Sequence, residues 1–164
     1  MGGYLATDRR RQTADKHSIL LGKPPENCVR AVAWHELYGG DACRAYIDWF
    51  RQYIDAPDRR VAASMLAKRI GYLWIAPLMT AMTFHHQHVS LGLRDSFLYH
   101  SASQSVTRFP FLAVNDIEAE ALTYDREVTR EKAVVDMFAS QLTPLLKMLS
   151  TVSALPMSIL WENI

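Results

Sequence analysis

Cysteine is scarce in this chain: Cys28 and Cys43 are the only two among 164 residues. Two thiols cannot build a four-thiolate zinc or iron–sulfur site, and they are too few for a disulfide scaffold. The sequence leaves open one bridge between them, although two reduced thiols in a cytosolic protein are the simpler reading. A surplus of charge is missing too. Lys and Arg number 18 against 17 Asp and Glu, a net charge of +1. That balance lacks the broad basic field that drives nucleic-acid binding, so nucleic acid is not an expected partner. Long apolar runs are also lacking. The longest, 70–84, falls short of the about 18–20 residues that span a bilayer, and Gly71, Pro77, Thr80 and Thr83 interrupt it. Residues 1–16 are polar and carry Arg9, Arg10 and Arg11 with no apolar core behind them, unlike a secretory signal. A glycine-rich phosphate loop, a nucleophile elbow and an HExxH motif are likewise missing. The expectation is a cytoplasmic, soluble protein with no membrane span.

What is present is enough apolar residue, 49% against 21% charged, for one compact domain. Residues 1–24 read as an N-terminal arm: Asp8 and the arginines after it form a solvated charge run. Gly22-Lys-Pro-Pro then fixes an extended or turning segment before anything regular begins. Residues 25–164 form the domain. The stretch 29–37 is a short strand or a helical turn. Asp41 looks like the N-cap of a helix through about residue 54, with Tyr46, Trp49, Phe50 and Tyr53 as an aromatic core stripe. Asp58 is placed to cap a second helix over 59–84. Val61, Met65, Ile70, Leu73, Trp74, Pro77, Leu78 and Ala81 make its apolar face, and Pro77 predicts a kink or a split. From 89 to 99 the pattern alternates as in a strand, or a hairpin turning near Arg94 and Asp95. Residues 108–114 are a second extended segment, where Pro110 points to an edge or a bulge, and 118–122 a third. A long helix from about 125 to 149 has Val128, Val135, Phe138, Leu142, Leu145 and Leu149 on one face, and Pro144 kinks it near its end. Another helix begins after Pro156. The predicted class is α+β, with helices packed against a small, mainly antiparallel sheet.

The densest polar cluster is His85, His86, Gln87 and His88. Three imidazoles in four residues suit a divalent metal, but no carboxylate lies in the run. One histidine capping the helix and the others bonding to backbone is the simpler reading, and no metal site is assigned. On an alternating strand His88, Arg94 and His100 face the same way. With Arg108 they make a polar, cationic surface suited to an anion or a carboxylate-rich ligand, and these four are the candidate ligand-binding residues. Asp95 is either a turn residue or a buried acid paired with an arginine. Adjacent His35 and Glu36 diverge on a strand or a helix, which argues against an acid–base pair. The acidic stretch between Asp116 and Glu131 reads as a solvated face and a negatively charged helix start.

Two segments resemble a known family. The helix over 66–84 leading into His85-His86-Gln-His-Val-Ser-Leu-Gly-Leu-Arg-Asp-Ser is similar to a block of the FhuF-like ferric iron reductases, related also to the C-terminal region of siderophore synthetases. The run 155–163, LPMSILWEN, is similar to that family's serine/proline-then-Leu-Trp-x-Asn signature. The resemblance implies a ferric-siderophore reductase: a cytosolic domain that binds the iron chelate while one electron converts Fe(III) to Fe(II) and so releases it. It further implies a 2Fe–2S cluster on four cysteines, two adjacent and two spaced as CxxC, in a segment following the Leu-Trp-x-Asn signature, and an electron-donor protein as partner. Cys28 and Cys43 match nothing in that cysteine pattern. The alternative is a non-catalytic module that binds siderophore, or serves its biosynthesis, without reducing it.

Overall fold

Short runs rich in aliphatic and aromatic residues supply strands, and three- and four-residue apolar spacing supplies helices. The computed structural model describes residues 19–84, 87–91, 96–102, 107–115, 117–121 and 126–164. Its strands are β1 (Ile19–Leu21), β2 (Arg30–Ala33), β3 (Gln87–Leu91), β4 (Ser96–His100), β5 (Phe111–Val114) and β6 (Ile117–Ala121). Four of them form a sheet in the order β1-β5-β4-β2; β1 runs parallel to β5, and the other pairings are antiparallel. β3 and β6 form a separate antiparallel pair. The helices are α1 (Gly40–Tyr53), α2 (Arg59–Ile70), α3 (Ala76–Phe84), α4 (Arg126–Val135), α5 (Thr143–Ser153) and α6 (Met157–Glu162). The protein is thus α+β, with helices packed against a small, mostly antiparallel sheet. No described helix is long and apolar enough to cross a membrane.

The core joins the layers. Tyr46, Ile47 and Phe50 of α1, Leu66 and Ile70 of α2, and Leu145 and Leu149 of α5 are fully buried, together with Leu98 and Leu112 of the sheet. Trp34, in a 3-10 turn over Trp34–Tyr38, stacks on Trp74 at 4.8 Å. Its indole N–H donates to the Tyr38 hydroxyl, which donates in turn to the Gln141 carbonyl. Asp58 caps α2 as expected, its carboxylate accepting from the Val61 N–H at 2.9 Å.

Several expectations need correction. Ile19–Leu21, inside the expected arm, is a sheet strand, because pairing with β5 satisfies its backbone; residues 1–18 lie outside the described residues. α1 begins one residue before Asp41, with Gly39 at the N-cap. The 89–99 alternation is neither one strand nor a hairpin: β3 pairs with β6, whereas β4 pairs with β2 and β5. β5 is an interior strand, and Pro110 lies just before it, where no ladder bond is needed. Val61 and Met65 are exposed, since the inward face of α2 is built from Ala62, Ala63, Leu66, Ala67 and Ile70, about 100° round the helix.

The prolines change the helices in another way than a break. Wide π turns, Gly71–Ile75 and Asp136–Leu142, precede Pro77 and Pro144, and the helical path continues through both. A proline lacks the N–H that an α-helical carbonyl four residues back would accept, and its ring crowds that carbonyl, so the turn before it widens. At the second site the Thr143 N–H and hydroxyl both donate to the Phe138 carbonyl, five residues back. The wide turn also explains an exposed Val135. The buried positions run Ala133, Met137, then Leu142, Leu145 and Leu149, so the step across the turn is five residues rather than four.

Candidate functional site

Of the four predicted ligand contacts, His100 and Arg108 can be followed to their side-chain partners. His88 lies on β3, opposite Glu120 of β6 in the register, and Arg94 lies outside the described residues, as do His85, His86 and Asp95. His100 ends β4 on the phase that faces the core: Ser96, Leu98 and His100 are buried while Phe97 and Tyr99 are partly exposed. The phase expected to be polar and open is therefore the inward one in this strand. It is tolerated because Ser96 is small and His100 is fully hydrogen-bonded.

His100 sits in an aromatic cage at 1% exposure. The rings of Trp49, Tyr53, Phe50 and Tyr46 surround it at 4.7, 5.4, 5.6 and 6.0 Å between centroids. Its Nδ1 faces the Arg108 carbonyl at 3.1 Å. A carbonyl only accepts, so Nδ1 carries the proton, and Nε2 accepts from the Tyr46 hydroxyl at 2.9 Å. Burial pushes the imidazole pKa down to about 4, opposed by the bond to Arg108 and reinforced by the nearby Arg30 charge. Burial likewise raises the Tyr46 hydroxyl. The pair is a neutral, closed hydrogen-bond chain. His100 is consequently a structural residue at this position, with no ring edge left for a ligand.

Arg108 is engaged as well. Its Nη1 donates to the Asp55 carboxylate at 2.5 Å and to the Tyr53 carbonyl at 3.3 Å. That places a cation on the C-terminal turn of α1, where it suits the helix dipole. Asp55 adopts a positive φ of 57°, a conformation aspartate accepts more readily than most residues.

His100 and Arg108 thus fix the loop that precedes β5. The Arg108 carbonyl is tied to His100, the Phe109 N–H donates to the Thr107 hydroxyl, and the Pro110 carbonyl accepts from Arg69 Nε at 2.9 Å. Phe109 is carried between these anchors, with its ring edge against Phe50 at 6.1 Å. Its other surroundings are an open cleft of about 400 Å³ lined by Met65, Lys68, Arg69, Tyr72 and Phe109. In that cleft the Arg69 guanidinium lies between the rings of Tyr72 and Phe111, at 5.3 and 5.5 Å. Burial lowers the Arg69 pKa, partly offset by Tyr72. Among the described residues no carboxylate pairs with Lys68 or Arg69. Tyr72 is 50% exposed. Two cations and two aromatic rings therefore converge on one concave surface, which sequence reasoning missed. A signal existed: Met65, Lys68, Arg69 and Tyr72 recur at three- and four-residue spacing, a mixed cationic and aromatic stripe that runs from α2 into the π turn.

A second cleft of similar volume is lined by Asp48, Arg51, Pro57, Asp58, Arg59, Arg60 and Ser153. Both of its carboxylates are already in use. Arg59 makes a two-pronged contact with Asp48 at 2.5 and 2.7 Å, which holds the Asp48 carboxyl below its usual range, and Asp58 is occupied as the α2 cap. The Arg69 cleft, which sets aromatic rings beside its cations, is the better candidate site.

The residues present do not fit a 2Fe–2S cluster. Cys28 and Cys43 are both free thiols. Cys43 is fully buried in α1, where burial pushes its pKa up to about 11, the opposite of what a thiolate ligand needs. Among the described residues no group of three or more His, Cys, Asp or Glu is placed to hold a metal ion. Compared with models of known protein families and with curated protein sequences, the chain matches none.

Proposed function

We propose that this protein is a ferric-siderophore reductase-like domain that seats a cytosolic iron chelate in the Arg69 cleft. The observation that carries the reading is that the two segments on which the family resemblance rests lie side by side: α6, within 155–163, packs on α2, whose last turn opens the first segment. Asn163, from the LPMSILWEN run, donates through Nδ2 to the Ser64 hydroxyl of α2 at 3.1 Å and to the Ile159 carbonyl at 2.8 Å. Ile164 lies so close to Gly71 that a Cβ there would meet its carbonyl oxygen at 2.9 Å and its Cα at 3.0 Å. Segments nearly a hundred positions apart in the chain are thus in contact at Ser64, just before the first of them, and at Gly71 within it, and Gly71 is the neighbour in sequence of Tyr72 in the cleft. The cleft volume lies within the range of small-molecule sites.

In this reading iron is substrate. A one-electron donor protein converts chelated Fe(III) to Fe(II), which hydroxamate and catecholate oxygens hold far less well. The residues of the cleft bind and orient the chelate, and His100 and Arg108 hold the loop that carries Phe109 to it. A second reading, a module that binds the chelate without reducing it, is favoured by the two cysteines, one of them sealed in the core.

Titration of the purified protein with ferric chelates, followed by tryptophan fluorescence and thermal stability, tests the site. The expected result is saturable binding with a raised Tm, and at least tenfold weaker binding in Lys68→Glu. Absence of binding to any ferric chelate overturns both readings. An Fe(II)-trapping dye then separates them, because only the reductase-like domain accelerates iron release when a one-electron donor is supplied.

A further inference from the structure

The charge and the rings of the Arg69 cleft narrow the class of chelate. Lys68 and Arg69 both line it, and among the described residues neither is neutralised by a carboxylate. Tyr72 presents an aromatic face to solvent, Phe109 a second ring, and Met65 a polarizable apolar surface. Arg69 is not free to swing away. Its Nε is committed to the Pro110 carbonyl and its guanidinium is flanked by Tyr72 and Phe111. A fixed cation beside exposed rings is pre-organised for a guest that is anionic and planar-aromatic at once, through charge-assisted hydrogen bonds and stacking.

The two common families of siderophore oxygen donors differ in both respects. Three catecholates bring six negative charges against the three positive charges of Fe(III), so the complex is trianionic and its surface consists of aromatic rings. Three hydroxamates bring three, so the iron centre is neutral and its surface aliphatic. A neutral aliphatic complex gains nothing from Lys68 or Arg69, and seating it would strip water from both cations without return. Resting on the chelate-binding reading above, we infer that the substrate class of this cleft is the ferric catecholates, not the ferric hydroxamates. Lys68 supplies long-range attraction, Arg69 the fixed charge at the cleft floor, and Tyr72 the stacking face.

The test compares two defined probes on the full chain: Fe(III) held by a hexadentate tris-catecholate and Fe(III) held by a hexadentate tris-hydroxamate, in matched buffer at low and high salt. The catecholate complex is expected to bind at least tenfold more tightly, with that margin shrinking as salt screens the cations. Arg69→Gln and Tyr72→Leu should each weaken the catecholate complex several-fold or more while leaving any hydroxamate binding unchanged. Tm of each variant, compared with the parent, identifies loss through misfolding, and Lys68→Ala, on an exposed position, gives an independent variant. Equal affinity for the two complexes, or a preference for the hydroxamate, overturns the inference and leaves the chelate-binding reading intact. Binding of neither overturns that reading itself. Equal affinity for the iron-free catechol ligand also overturns the inference, since the trianionic ferric complex would then not be what is recognised.

Discussion

The His100 cage and the Arg69 cleft are built from the same kinds of side chain and share one loop, yet they stand at opposite ends of accessibility. In the cage four aromatic rings close over an imidazole whose two nitrogens both have partners within the protein. In the cleft two rings flank a guanidinium that uses one nitrogen for the loop and keeps its charge unopposed by a described carboxylate. Residue type therefore does not separate the structural site from the binding site; the degree of closure does. A polar group that has found all its partners inside the fold holds shape, and one left with spare capacity on a concave surface is available to a guest.

The comparison predicts unequal consequences of mutation. His100→Ala removes one buried and one part-buried hydrogen bond, strands the Arg108 carbonyl and empties the centre of the cage, for a loss of about 3–5 kcal/mol in urea unfolding. Lys68→Ala in the cleft should change stability by less than about 0.5 kcal/mol. Comparable losses at the two positions would break the distinction.

Acid sharpens it. The folded pKa of His100, about 4, lies below its ordinary value of 6.5. Between those values the unfolded chain takes up a proton that the cage refuses. The stabilising contribution is full above pH 6.5, falls as pH drops towards 4 and levels off below, by roughly 3 kcal/mol in all. His100→Asn should flatten that part of the pH–stability curve; an unchanged curve would show that the imidazole is not sealed. Phe109 touches both regions, so Phe109→Ala is expected to cost about 2 kcal/mol through its contact with Phe50 and to weaken chelate binding in the same protein. Loss of stability with chelate affinity retained would separate the loop from the cleft.

Much of the scaffold was legible in the sequence. The aromatic spacing of α1, the Asp58 cap and the α+β class follow from periodicity and capping chemistry, because those are local properties. The site was legible only as residue types. His100 and Arg108 stood out as polar groups in an apolar context, but alternation on a strand identifies two faces without saying which is buried. That choice is made by α1, whose Tyr46 hydroxyl and aromatic rings receive the imidazole. The cleft escaped notice because its members come from α2, the π turn and the loop before β5, and only folding brings Phe109 to Tyr72. Val135 was misassigned for a related reason: a periodicity of 3.6 cannot foresee a five-residue step.

That wide turn over Asp136–Leu142 bears on how the chain tolerates change in length. The buried residues leading into it and out of it already keep one direction, Ala133 and Met137 on entry, Leu142 and Leu145 on exit. Ser140, exposed within the turn, is in effect a spare residue. Deleting it should let the π turn relax to an ordinary α-turn with both flanking faces still directed at the core, whereas deleting one residue from the middle of α5 would rotate everything beyond it by about 100°. A single-residue gap at this one place is the alteration of length the helix is built to absorb.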